Sequence, residues 1–136
     1  MLKSSSRILL TVFITLSLLC AFGCSNSQEQ DAAAKELRTV ITEITSFIEV
    51  GDYEGLFEKY AAPADLNRMK MEGTLDKAIR RFALWKNEML TALKEALTTM
   101  PTFNADKTQA TFEVENAPTP LIFTKIDGRW YFADKS

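Results

Sequence analysis

The chain has 136 residues, 16 basic against 18 acidic, with no histidine and two cysteines, both within the first 24 positions. That inventory excludes Ser-His-Asp triads and the usual His/Cys transition-metal sites, and neither a G-x-G-x-x-G nor a P-loop pattern occurs. Charges alternate in sign along most of the chain rather than gathering in a basic stripe, which argues against nucleic acid as a partner.

The first element in chain order is an export signal. Lys3 and Arg7 form a positive n-region, and "ILLTVFITLSLLCAF" follows as an uncharged h-region. Its fifteen positions, Ile8 to Phe22, fall short of the ~20 residues that cross a bilayer core. Cleavage is expected between Gly23 and Cys24. The bond suits two peptidases: Ala21 and Gly23 are the small residues an ordinary signal peptidase prefers, and Gly23-Cys24 resembles the core of a bacterial lipobox, with Ala21 and Phe22 where that pattern favours Leu and a small residue. Cys20 follows the large Leu19 and reads as h-region filler. After cleavage Cys24 is the only thiol, exposed to oxidation unless modified, and lipidation at Cys24 removes that liability while adding enough acyl chains for stable attachment. Ser25 behind it resembles the outer-membrane class of Gram-negative lipoproteins; a Gram-positive host would hold the protein on the outer face of its only membrane. Residues 1–23 are thus read as a signal peptide and 24–30 as a lipidated cysteine with a polar tether. Residues 31–136 form a single domain, in a mature chain of 14 basic and 18 acidic residues, net charge −4.

Helices come next. From Asp31 to Val50, Leu37, Val40, Ile41, Ile44, Phe47 and Ile48 recur at three- and four-residue steps, the period of one helix face. Gly51 fits the left-handed C′ position, and Asp52 fits the N-cap of a short helix that turns Leu56, Phe57 and Tyr60 inward. Pro63 reads as a first-turn residue of another short helix, closed by Gly73. Thr74 is expected to cap a long helix reaching about Thr98, with Leu75, Ala78, Ile79, Phe82, Trp85, Met89, Leu93 and Leu97 as its buried stripe.

Pro101 ends the helical half. "FNADKTQ" reads as a hairpin loop, and "TFEVE" alternates Phe112 and Val114 against polar neighbours, as a strand with one wet face does. In "LIFTKIDGRWYF", Asp127-Gly128 predicts a two-residue type I′ turn. The register that follows sets Ile126 opposite Arg129, Lys125 opposite Trp130 and Phe123 opposite Phe132. The fold class is therefore α+β: N-terminal helices, one of them long, on a small C-terminal antiparallel sheet of three to four strands.

Gly51-Asp52-Tyr53 at a helix start, and Lys125, Asp127, Gly128 and Trp130 in a terminal hairpin, resemble the NTF2-like, cystatin-like superfamily, in particular small bacterial lipoproteins without an assigned activity. The resemblance covers residues 31–135. It implies a curved sheet around a long helix with a conical pocket, on a fold that serves binding modules, transport factors, isomerases and dehydratases. This chain offers fewer strands than such a cone uses.

The function expected from these readings is a membrane-tethered envelope lipoprotein that binds an envelope partner or a small apolar ligand, with no cofactor, metal or catalytic residue assigned. Tyr60, Lys125, Trp130 and Tyr131 are the candidate ligand-facing residues. A pocket enzyme with carboxylate acid/base chemistry is the alternative, and Asp52, Glu54, Glu58 and Asp65 are its candidates; a helix cap and a solvated face explain the same four residues. Lys77, Arg80 and Arg81 read as a solvated helix face, with anionic lipid as the other reading.

Overall fold

The structure, a computed structural model, describes residues 21–133, with side chains from residue 26 onward. The n-region, the h-region through residue 20 and the side chain of Cys24 lie outside what the structure describes, and of Gly23 only the backbone is described. The chain divides into two units, 1–33 and 34–136. Of the first, 21–33 is helical, so the polar segment 24–30 that was expected as a tether has helical backbone.

Helix α1 (Ala21–Val50) contributes a buried stripe to the second unit: Ala34, Leu37, Ile41, Ile44 and Ile48, at alternating steps of three and four. Gly51 ends the helix at φ 77°, its N–H bonded to the Ile48 carbonyl at 3.1 Å. A β-carbon would strain that left-handed conformation. Asp52 then caps α2 (Tyr53–Tyr60), its Oδ1 accepting the Gly55 N–H at 2.9 Å. Helix α3 (Pro63–Glu72) begins at Pro63 as expected and ends at Gly73.

The single long helix expected from Thr74 to Thr98 is instead two, α4 (Leu75–Leu84) and α5 (Lys86–Ala96), separated at Trp85 with φ −104° and ψ 11°. The Trp85 N–H turns back to the Phe82 carbonyl at 2.9 Å, and its own carbonyl accepts from Met89 to start α5. The two halves serve different surfaces. Phe82 of α4 meets Tyr53 and Phe57 of α2 edge to face, at 5.9 and 5.7 Å between ring centroids. Ala92, Leu93 and Ala96 of α5 are buried, and α5 lies against the sheet. One straight helix cannot cover both, and the bend turns Trp85 out: it is 58 % exposed, not in the core. Thr74 also differs from expectation, since its side chain makes no N-cap bond.

Four antiparallel strands follow, β1 (Thr102–Phe103), β2 (Gln109–Phe112), β3 (Leu121–Ile126) and β4 (Arg129–Ala133), in the spatial order of the chain. The hairpin register is the one read from the sequence: Ile126↔Arg129, Lys125↔Trp130 and Phe123↔Phe132. Asp127 and Gly128 take φ 49° and 77°, the two positive values a type I′ turn requires. Alternation then puts Ala110, Phe112, Leu121, Phe123 and Trp130 on one buried face, where Phe112–Phe123 and Phe123–Phe132 ring pairs interlock. The outer edge of β4 is partly covered, because Ala61 bridges to Phe132 just after α2. The class is α+β, with one long N-terminal helix, four shorter ones among the described residues, and a small C-terminal sheet.

Candidate functional site

Where α1, the end of α2 and the β3–β4 turn converge, an open cleft of about 380 Å³ forms. Its α1 wall consists of Glu36, Thr39, Val40 and Glu43, residues spaced 3, 1 and 3 apart and therefore on one helix face, beside the buried stripe. Lys59 and Tyr60 close one side, and Gly128, Arg129 and Trp130 the other. Helical spacing supplies the acidic wall, and the turn fixed by Asp127-Gly128 supplies the basic and aromatic one.

Both carboxylates are engaged. Glu36 Oε2 accepts from Lys125 Nζ at 3.1 Å and from Trp130 Nε1 at 3.2 Å, tying α1 to β3 and β4. The ammonium of Lys125 also stands 5.4 Å from the Trp130 ring centroid, in cation–π range. Glu43 Oε2 accepts from Lys59 Nζ at 2.7 Å and from the Tyr60 hydroxyl. Those two donors hold the Glu43 carboxyl below the usual carboxylate range, Lys59 more than Tyr60, while burial and the bond to Glu43 push the Tyr60 hydroxyl well above its ordinary value. Glu36 and Glu43 side chains nevertheless remain 55 % and 45 % exposed. Arg129 has no ion-pair partner among the described residues; its guanidinium lies 5.7 Å from the Tyr131 ring centroid.

Of the residues singled out in the sequence, Tyr60 and Trp130 line the cleft, and Lys125 reaches its wall through Glu36. Tyr131, on the sheet face opposite Trp130, is buried, and it does not line the cleft. The four carboxylates proposed for acid/base work are elsewhere. Asp52 is a helix cap; Glu58 pairs with Lys70 at 2.6 Å, Asp65 pairs with Arg68 at 2.9 Å, and Glu54 is exposed. Sequence reasoning passed over Glu36, Glu43 and Arg129. Glu36 and Glu43 differ by seven positions, two helical turns, which was the available signal for a shared face. Among the described residues, no group of three or more His, Cys, Asp and Glu could hold a metal ion. No family model, curated protein or solved structure matches the chain.

Proposed function

We propose that this chain is a bacterial envelope lipoprotein, anchored through lipid on Cys24, whose NTF2-like domain acts without catalysis and binds another envelope component at the Glu36–Glu43–Arg129 cleft. The state of Glu43 carries the reading. A general base working near neutral pH needs a carboxylate whose pKa is raised by desolvation, whereas Glu43 is half-exposed and held ionised by Lys59 and Tyr60. A weakly basic, already bonded carboxylate is better suited to holding a wall in place. The open cleft, lined by Glu36, Glu43, Lys59 and Arg129 together with Val40, Tyr60 and Trp130, favours a segment of a partner that carries both polar and apolar groups over a small apolar ligand, which would need enclosure. Arg129, without an ion-pair partner among the described residues, gives an anionic group of such a segment a cationic contact point. The helices-then-sheet order and the Asp127-Gly128 hairpin support the NTF2-like part of the reading.

Complementation of a deletion strain tests the functional class. Glu36→Gln and Glu43→Gln keep shape and most hydrogen bonds, so a binding module retains function with both, while Arg129→Glu abolishes it with the melting temperature unchanged. Loss of function in Glu43→Gln, with Arg129→Glu silent, would favour the pocket-enzyme alternative.

A further inference from the structure

The break at Trp85 creates a second exposed surface remote in sequence from the cleft. Leu84 is 80 % and Trp85 58 % exposed, although both are large and apolar. Residues 77–86 carry four cations, Lys77, Arg80, Arg81 and Lys86, and no acidic residue, in a mature chain whose net charge is negative. All four are exposed, and none has an ion-pair partner among the described residues, in contrast to Lys59, Arg68, Lys70, Lys94 and Lys125. On α4, Lys77, Arg80, Arg81 and Leu84 follow one another by three, one and three, which places them on one outward face, while Leu75, Ala78, Ile79 and Phe82 form the opposite, half-buried face. Just beyond Leu84, at the bend, Trp85 and Lys86 are exposed as well.

We propose that the Leu84–Trp85 knuckle inserts into the interfacial layer of an anionic lipid membrane, with Lys77, Arg80, Arg81 and Lys86 on its headgroups. Charge complementarity selects this occupant. Cations free of intramolecular partners are available to anionic phosphates at no cost in broken ion pairs. Tryptophan is the side chain best suited to the membrane–water boundary, where its ring is embedded and its N–H stays hydrated, and Leu84 beside it supplies purely apolar area. A protein partner with an acidic surface would use the cations but gain little from a protruding Leu-Trp pair without a pocket of its own. The inference rests on the membrane-anchored reading only for proximity to a bilayer, and it adds an orientation: the α4–α5 corner faces the lipid.

The experiment uses the full chain with vesicles of phosphatidylglycerol and phosphatidylcholine, or of phosphatidylcholine alone, each carrying brominated acyl chains. Tryptophan emission reports depth, and the only other tryptophan, Trp130, is 4 % exposed inside the fold. Bromine quenching is expected in the anionic vesicles, to fall with salt, and to disappear in Trp85→Phe. It is also expected to drop severalfold in an Arg80→Glu/Arg81→Glu variant that melts like wild type, since each cation near an anionic surface contributes about a fivefold factor in binding. Equal quenching in neutral and anionic vesicles, or quenching that survives Trp85→Phe, overturns the proposal. So does a charge reversal that leaves quenching intact while abolishing complementation, which would assign the surface to a protein. Vesicle flotation separates the two readings: a chain that floats with Trp85 unquenched keeps its anchor and loses the knuckle, and one quenched through Trp85 that floats only on anionic vesicles does the reverse.

Discussion

Tyr60, the last residue of α2, donates its hydroxyl proton to the carboxylate of Glu43, 17 residues earlier on α1. The contact locks the end of a short helix onto a long one at one side of the cleft. Tyr60 is 5 % exposed, and its ring also meets Phe47 edge to face, at 6.2 Å between centroids, so packing and hydrogen bonding restrain the same side chain.

Tyr60→Phe is therefore expected to keep the fold and to cost about 1 kcal/mol, below the usual range for a hydrogen bond to a charged group because Glu43 is half-exposed and retains Lys59. Urea unfolding measures it. The pH dependence has two signs. Glu43, held below its ordinary 4.5, stabilises the fold above that value, and the contribution is lost as pH falls through its depressed folded pKa. Tyr60, raised above its ordinary 10.0, contributes fully below pH 10 and loses that contribution as pH rises toward its folded pKa. Tyr60→Phe should flatten the alkaline limb and leave most of the acid limb; an unchanged alkaline limb would show that the hydroxyl is not bonded to Glu43.

The β3–β4 turn gives a second prediction. Asp127 and Gly128 both have positive φ, which asparagine tolerates and valine resists. Gly128→Val should destabilise by ~1–2 kcal/mol or more, and Asp127→Asn by only a small fraction of that. The damage should reach the cleft, because Gly128, Arg129 and Trp130 form one of its sides. Equal urea midpoints for the two variants would refute the turn assignment.

How much of this was legible in the sequence differs by element. The stripe of α1 and the hairpin register are set within a few residues of themselves, by helical period in one case and by a two-residue turn in the other, and both hold in the structure. The Trp85 break was hidden because a one-residue bend leaves the apolar period from Leu75 to Leu97 intact. Only the need of Phe82 to reach α2 while Leu93 reaches the sheet exposes it, and that is a long-range fact. The cleft was half visible for the same reason. Trp130 and Lys125 announced themselves in a local motif, whereas Glu36 and Glu43 looked like any polar helix residues until β4 and Tyr60 were brought against them.

A third prediction concerns the connection from β2 to β3. Glu95 of α5 accepts the Glu115 N–H at 2.6 Å on one oxygen, and the Asn116 N–H at 3.3 Å and Nδ2 at 2.9 Å on the other; these donors hold its carboxyl below the usual range. Glu95→Ala should speed hydrogen exchange at the Glu115 and Asn116 amides by about tenfold or more, by local opening, with exchange in the β3–β4 hairpin unchanged. In wild type the tie should weaken as pH falls through the lowered Glu95 pKa, because a protonated carboxyl accepts less strongly. Unaltered exchange in the variant would mean that other contacts hold the loop.

Membrane attachment through Cys24 is tested most directly by labelled palmitate and cell fractionation of the Cys24→Ser variant. The anchor proposed here is lipid on Cys24; among the described residues no helix is long and apolar enough to cross a membrane. Wild type should incorporate the label and sediment with membranes, and Cys24→Ser should lose the label and shift to the soluble exported fraction. A Cys24→Ser protein that stays with the membranes, or a wild type that never takes up palmitate, would contradict it.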